Sequence, residues 1–150
     1  MIWKKVNGYP YSINELGQVR NNKTGRILKK CISTNGYVIV NLTSDAGKQK
    51  VHNVHRLVGV YFLSCPPDMQ VDHIDGDRAN NNLSNLRVVT HQQNAFNNHV
   101  AKGYTWVNRV GKWKAQIMHN GKQNHIGHYA TEEEARAAYL AAKAIMHPLP

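Results

Sequence analysis

Asp72 beside His73, with Asn94 further along the chain, brings together residue types that can act on a phosphate. Hydrolysis of a phosphodiester needs a base for water, a cation at the phosphate and charge relief for the leaving 3′ oxygen. Asp72 offers a hard anionic oxygen suited to magnesium. His73 can be neutral near pH 7 and accept a proton. Asn94 offers a second, neutral oxygen in the first turns of an expected helix. Two protein oxygens leave most of a magnesium shell to water and phosphate, as that ion prefers. One geometric condition applies. Adjacent residues on a regular strand point to opposite faces, so Asp72 and His73 share a phosphate only where the strand ends or twists strongly. By itself an Asp-His pair is unspecific. The stretch DGDRANNN also reads as a surface turn, and Asp75-Gly76-Asp77 lacks the alternating oxygens and terminal glutamate of a calcium loop.

The elements that must position these groups are short. The chain of 150 residues is one ordinary domain or two or three very small ones, and 41% hydrophobic residues allow a modest core. No run of about eighteen apolar residues occurs, and the first residues lack the apolar stretch of a signal peptide. Cys31 and Cys65 form no CxxC pair, which excludes a four-cysteine zinc site and suits a reducing compartment. The net charge of +10 is uneven: +8 over residues 1–63, −2 over 64–98 and +4 over 99–150. Two basic flanks around an acidic centre suit a protein that grips a polyanion on both sides of a cation site.

The first third reads as strands and turns. YSINELGQVRN and GRILKKCI are joined by Asn21–Gly25, GYVIVNLT follows Asn35-Gly36, and Asp45–Lys48 turns into KQKVHNV. From Val54 the period becomes helical, with Leu57, Val58, Tyr61 and Phe62 on one face, until Pro66-Pro67. A strand ending near Val71, a polar loop, the strand NLRVVT and a helix capped by Thr90 form the centre. A linker near His99–Gly103 leads to three strands, with an Asn120-Gly121 hairpin and a Thr131/Glu134 capping box before the last helix. Ala135, Ala138, Tyr139 and Ala142 share one face of that helix.

VDHIDGDRANNNLSNLRVVTHQQN resembles the HNH endonuclease motif, especially that of phage homing endonucleases. The resemblance implies a ββα-metal finger with Asp72 as metal ligand, His73 as general base and Asn85 as the asparagine that pins the loop. Asn94 matches the last motif position as second ligand, with His91 the runner-up and Asn98 a weaker candidate. WKKVNGYPYSINELGQVRN and VHRLVGVYF are similar to a module that precedes such cores and lays short basic strands on DNA. Arg20, Lys23, Arg26, Lys29 and Lys30 are the candidate phosphate contacts there, while His55 and Arg56 open the helix in a structural role. GKWKAQIMHNGKQNHIGHYATEEEARAAYLAA resembles the plant ethylene-responsive-factor domain, whose sheet enters the major groove with a helix behind. Alternation then turns Trp113, Ala115 and Ile117 to the helix and Lys114, Gln116 and Met118 to DNA; Gln123, His125 and Arg109 are further contacts. Several arginines and a tryptophan of the plant domain are replaced here, so its target does not carry over.

These readings give an α+β chain in three parts. They are a β-rich DNA-binding module over 1–53, an HNH ββα-metal core over 54–99, and a three-stranded antiparallel sheet plus helix over 103–150. The expected function is a magnesium-dependent DNA endonuclease, with manganese as substitute and no zinc. It would be monomeric and nicking, would bind double-stranded DNA and no membrane, and would work in the cytoplasm of a phage-infected bacterial cell. The alternative is a sequence-specific DNA-binding regulator with an inactive HNH remnant; an RNA-directed protein is disfavoured because no RNP-type aromatic pattern occurs.

Overall fold

The computed structural model describes residues 1–96 and 102–150, an α+β chain of small antiparallel sheets and few helices. It divides into two compact units, Met1–His91 and Gln92–Pro150. No described helix is long and apolar enough to cross a membrane.

The first unit begins with the antiparallel strands β1 (Trp3–Lys5), β2 (Tyr11–Asn14) and β3 (Val19–Asn21), in the order β1-β2-β3. The stretch expected as one strand, YSINELGQVRN, is thus a hairpin. Its turn is local chemistry: Asn14 Oδ1 accepts from the Leu16 and Gln18 N–H groups, and Gly17 takes φ 70°. The Asn21–Gly25 turn does form, closed by the Gly25 N–H on the Asn21 carbonyl. A second sheet orders β4 (Cys31–Ile32), β5 (Val38–Thr43) and β6 (Gln49–Asn53) as β4-β5-β6. Val38, Val40 and Leu42 alternate inward along β5.

Helix α1 (Val54–Phe62) buries Val54, Leu57 and Val58 against these strands. It stops before the prolines. The Leu63 and Cys65 N–H groups both bond the Gly59 carbonyl, with Ser64 left-handed at φ 52°. The second hairpin, β7 (Gln70–His73) and β8 (Leu86–Val89), packs its Val71 and Leu86 into the same core as Ile13, Val40 and Leu57. Residues from 1–53 and from 54–91 thus contribute to one hydrophobic core. After β8, helix α2 (His91–Phe96) follows in sequence; Asn98 and most of the His99–Gly103 linker lie outside the described residues.

The second unit holds β9 (Tyr104–Val107), β10 (Lys112–His119) and β11 (Lys122–Tyr129) in the order β11-β10-β9, with α3 (Glu132–Met146). Thr131 and Glu134 form the expected capping box. Ala115 and Ile117 of β10 and Ala135 and Tyr139 of α3 are its buried apolar residues. The β10–β11 register slips between Ala115 and Gln116, which sets Lys114 opposite His128 while Gln116 faces His125.

Gly59 is where α1 meets the strand that carries the central Asp-His pair. A Cβ there would overlap the Val71 side chain. Gly59→Ala is therefore expected to cost roughly 1–3 kcal/mol through overpacking. The reading is a lower urea midpoint at unchanged slope; an unchanged midpoint would show that α1 and β7 do not pack this closely.

Candidate active site

Burial alternates along β7, with Val71 and His73 fully buried and Gln70 and Asp72 only partly so. Asp72 and His73 are the last two residues of β7, where the chain leaves regular strand geometry. In the hairpin register, Asp72 lies opposite Arg87 and His73 opposite Leu86. Arg87 donates through Nε at 3.0 Å and Nη2 at 2.9 Å, both to Asp72 Oδ2. The pair is largely shielded, with side-chain exposures of 15% for Arg87 and 11% for Asp72.

His73 is 4% exposed. Its Nε2 lies 3.1 Å from Asn81 Oδ1, and its ring is 5.1 Å from that of His55 and 6.1 Å from that of Tyr37. Tyr37 also lies against His55, at 4.8 Å, and carries the Arg78 guanidinium 4.9 Å from its ring centre. Arg78 donates to the Asn35 carbonyl at 2.8 Å, tying the polar loop to the β4–β5 turn. Burial first, then the neighbouring His73 and Arg56, push His55 from 6.5 down to about 4. His55 is a neutral imidazole in this fold.

The loop between β7 and β8 is organised by polar side chains. Asn85 Nδ2 donates to Asp75 Oδ1 and to the Asn80 carbonyl, both at 2.9 Å, while its Oδ1 accepts from the Asp75 N–H at 3.1 Å. The Ile74 N–H closes on the Asn85 carbonyl at 2.8 Å. Asp75 further accepts from Asn80 Nδ2 and the Asp77 N–H, both at 2.8 Å. Bonds from Asn80, Asn85 and the Asp77 backbone hold its carboxyl below the usual carboxylate range.

Asn94 is half-buried on α2, and His91, at the first position of that helix, has Nδ1 2.9 Å from Gln70 Nε2. Among the described residues no group of three or more His, Cys, Asp or Glu side chains is placed to hold a metal. The Asp72 carboxylate is a donor of the kind a hard dication takes while keeping much of its water. A dication at Asp72 would share that carboxylate with Arg87.

The basic candidates of the first unit lie mainly outside strands. Arg20 is on β3 with its guanidinium 4.3 Å from the Trp3 ring centre, whereas Lys23, Arg26, Lys29 and Lys30 are exposed on the turn and crossing between β3 and β4. In the second unit, Met118 pairs with Gln123 and Gln116 with His125, so each pair shares a sheet face. Lys114 pairs with His128 and Thr105. Met118, Gln123 and His125 are exposed, Lys114 and Gln116 are half-buried, and Arg109 is exposed in the turn after β9. Sequence reasoning passed over Arg87, Asn81 and His128. Arg87 had a signal in the opposed charges of two paired strands, while the other two depend on the loop fold and the register slip.

The β-hairpin ends its first strand in Asp-His and ties its loop to one asparagine, and a short amide-bearing helix follows it in sequence. Residues 52–96 match the HNH endonuclease family and residues 1–43 the NUMOD4 motif. Over 100 residues the chain is 39% identical to the DNA endonuclease I-HmuI of Bacillus phage SP01, covering 65% of this chain and 57% of that protein. Over 107 residues it is 31% identical to the H-N-H endonuclease F-TflII of Escherichia phage T5, covering 69% and 55%. A solved structure described as DNA binding and cleavage by the HNH homing endonuclease I-HmuI matches at TM-score 0.60 and 33% identity. That match covers 83% of this chain and 77% of that one. The chain spans a little over half the length of these curated relatives. It belongs to the HNH endonuclease family, with a NUMOD4 motif ahead of the HNH segment.

The His55 environment predicts an acid-sensitive fold. In the unfolded chain His55 takes a proton near pH 6.5, whereas the folded site resists until about 4. Its stabilising contribution is whole above pH 6.5 and is lost as pH falls from there toward 4. Between pH 7 and pH 5 this amounts to about 2 kcal/mol. Urea unfolding at both pH values should show His55→Phe losing less stability than the parent over that interval. Equal losses would show that His55 is not buried as a neutral ring.

Proposed function

We propose that this chain is a metal-dependent DNA endonuclease of homing type that hydrolyses a phosphodiester, with His73 as general base and magnesium held by Asp72 and Asn94. The observation that carries the reading is the Asp72-His73 pair at the end of β7, beside a loop tied by the Asn85 side chain, within an HNH segment. Bound there, magnesium or manganese supplies positive charge at the phosphate and relief for the leaving oxygen. His73 takes the proton from water, Arg87 orients the Asp72 carboxylate, and Asn85 keeps the loop from reaching into the site. One such site breaks one strand at a time, so a monomer nicks.

DNA is the proposed substrate because relatives carry DNA endonuclease names and because the chain is strongly basic. The first-unit cations Arg20, Lys23, Arg26, Lys29 and Lys30 hold phosphates. The second unit acts like an ethylene-responsive-factor domain, presenting Lys114, Gln116, Met118, Gln123 and His125 to base edges, with Arg109 at the rim. The phage relatives suggest the cytoplasm of an infected cell as the place of action. A DNA-binding regulator with a silent finger is the second reading, favoured by the near-complete burial of His73 and the pairing of Asp72 with Arg87.

Supercoiled plasmid carrying the target, incubated with magnesium or with chelator, separates the two. His73→Ala should keep DNA affinity and lose roughly two to four orders of magnitude in nicking rate, the usual worth of a general base. Asp72→Ala should weaken metal dependence more than Asn94→Ala, since Asp72 brings the charge. Parental nicking by His73→Ala would remove the assignment, and loss of metal response in His91→Ala alone would move the second ligand there.

Affinity should divide by residue class. Replacing Lys23, Arg26, Lys29 and Lys30 with Gln is expected to flatten the salt dependence of binding by roughly 0.9 for each phosphate no longer neutralised. Gln116→Ala and His125→Ala should instead lower preference for target over random duplex at nearly unchanged slope. Binding constants over a salt series measure both. Unchanged preference would show that this sheet face does not read DNA.

A further inference from the structure

Asn81 is as deeply placed as His73, at 2% exposure, although it sits in a loop of polar residues. A buried amide must find partners, and this one finds two. Its Oδ1 lies 3.1 Å from His73 Nε2, and its Nδ2 donates to the Ala79 carbonyl at 3.1 Å. The second bond fixes the amide's orientation. Turned over, it would set its oxygen against the Ala79 oxygen and leave a buried acceptor without a donor. With Oδ1 toward the ring, His73 Nε2 has to carry the hydrogen, and in a neutral imidazole the lone pair then resides on Nδ1.

The surroundings hold Asn81 in this pose. A Cβ on Gly17 would come within 2.9 Å of Asn81 Cβ, so the Glu15–Gln18 turn closes on Asn81 only because residue 17 is glycine. Two residues on, the Leu83 N–H bonds the Glu15 carbonyl at 2.8 Å, fastening the loop to the same turn. The rings of His55 and Tyr37 line another side of His73.

We propose that Asn81 is a positioning residue for His73: it fixes the Nε2–H tautomer and so makes Nδ1 the nitrogen that takes the proton from water. The inference rests on the reading of His73 as base, but the tautomer can be measured without catalysis. Nitrogen-detected NMR of the full chain, with labelled histidine and a His73→Gln spectrum for assignment, should show His73 as the Nε2–H form. Asn81→Leu, which fills the space but accepts no hydrogen bond, should give mixed tautomers. Its nicking kcat should fall roughly ten- to hundredfold with KM for DNA unchanged. The parent spectrum tests the proposal whether or not the leucine variant folds. An Nδ1–H form in the parent, or an Nε2–H form that survives in Asn81→Leu, would overturn the proposal. A tautomer lost with kcat unchanged would instead overturn His73 as base while leaving the hold of Asn81 on the ring established.

Discussion

The side chain of Asn85 joins the two ends of the loop between β7 and β8. One amide group bonds Asp75 twice, through its backbone N–H and its carboxylate, and the Asn80 carbonyl once. Little apolar surface is available in Ile74–Ser84 to organise that stretch, so the polar side chains do it. Each bond contributes only about 1 kcal/mol net, yet together they select one loop path. The path sets the hairpin register, and the register sets Asp72 against Arg87 and His73 against Leu86. A slip of one residue would exchange the two sides. The chemistry proposed for this chain therefore depends on an asparagine that need not touch substrate.

The hairpin is supported by a core built from both the NUMOD4 and the HNH segments. Helix α1 approaches β7 closely through Gly59, directly beside the strand residues that carry the site. The β4–β5 hairpin contributes Tyr37 and the opening of α1 contributes His55, the two rings against which His73 rests. Burial makes His55 costly to charge, so the ring it sets against His73 is neutral. Arg78 covers Tyr37 from the loop side and bonds the Asn35 carbonyl. Site and core are thus stabilised by the same contacts within the first unit.

What the sequence disclosed was local. The Asn120-Gly121 hairpin, the Thr131/Glu134 capping box and the apolar face of α1 each depend on residues a few positions apart, and each formed as expected. The Glu15–Gln18 turn is equally local, but YSINELGQVRN reads as one strand until the reach of Asn14 Oδ1 to the Leu16 and Gln18 N–H groups is seen. The Asp-His pair and the asparagine-rich loop were visible as types and spacing. The partners of that pair were not. Arg87 meets Asp72 through strand register, Asn81 reaches His73 through the fold of a loop, and His128 joins Lys114 through a slip between β10 and β11. Such pairings arise from tertiary structure and leave no periodic trace.

The most direct measurement is the nicking rate of Asn85→Ala beside amide hydrogen exchange in the same protein. If the tied loop places the site, the rate should fall by at least about tenfold, and the Ile74, Asp75 and Asp77 amides should exchange faster. Amides of α1 and β5 should remain protected, because the core does not use Asn85. Parental nicking by a protein whose loop amides have lost their protection would contradict the account.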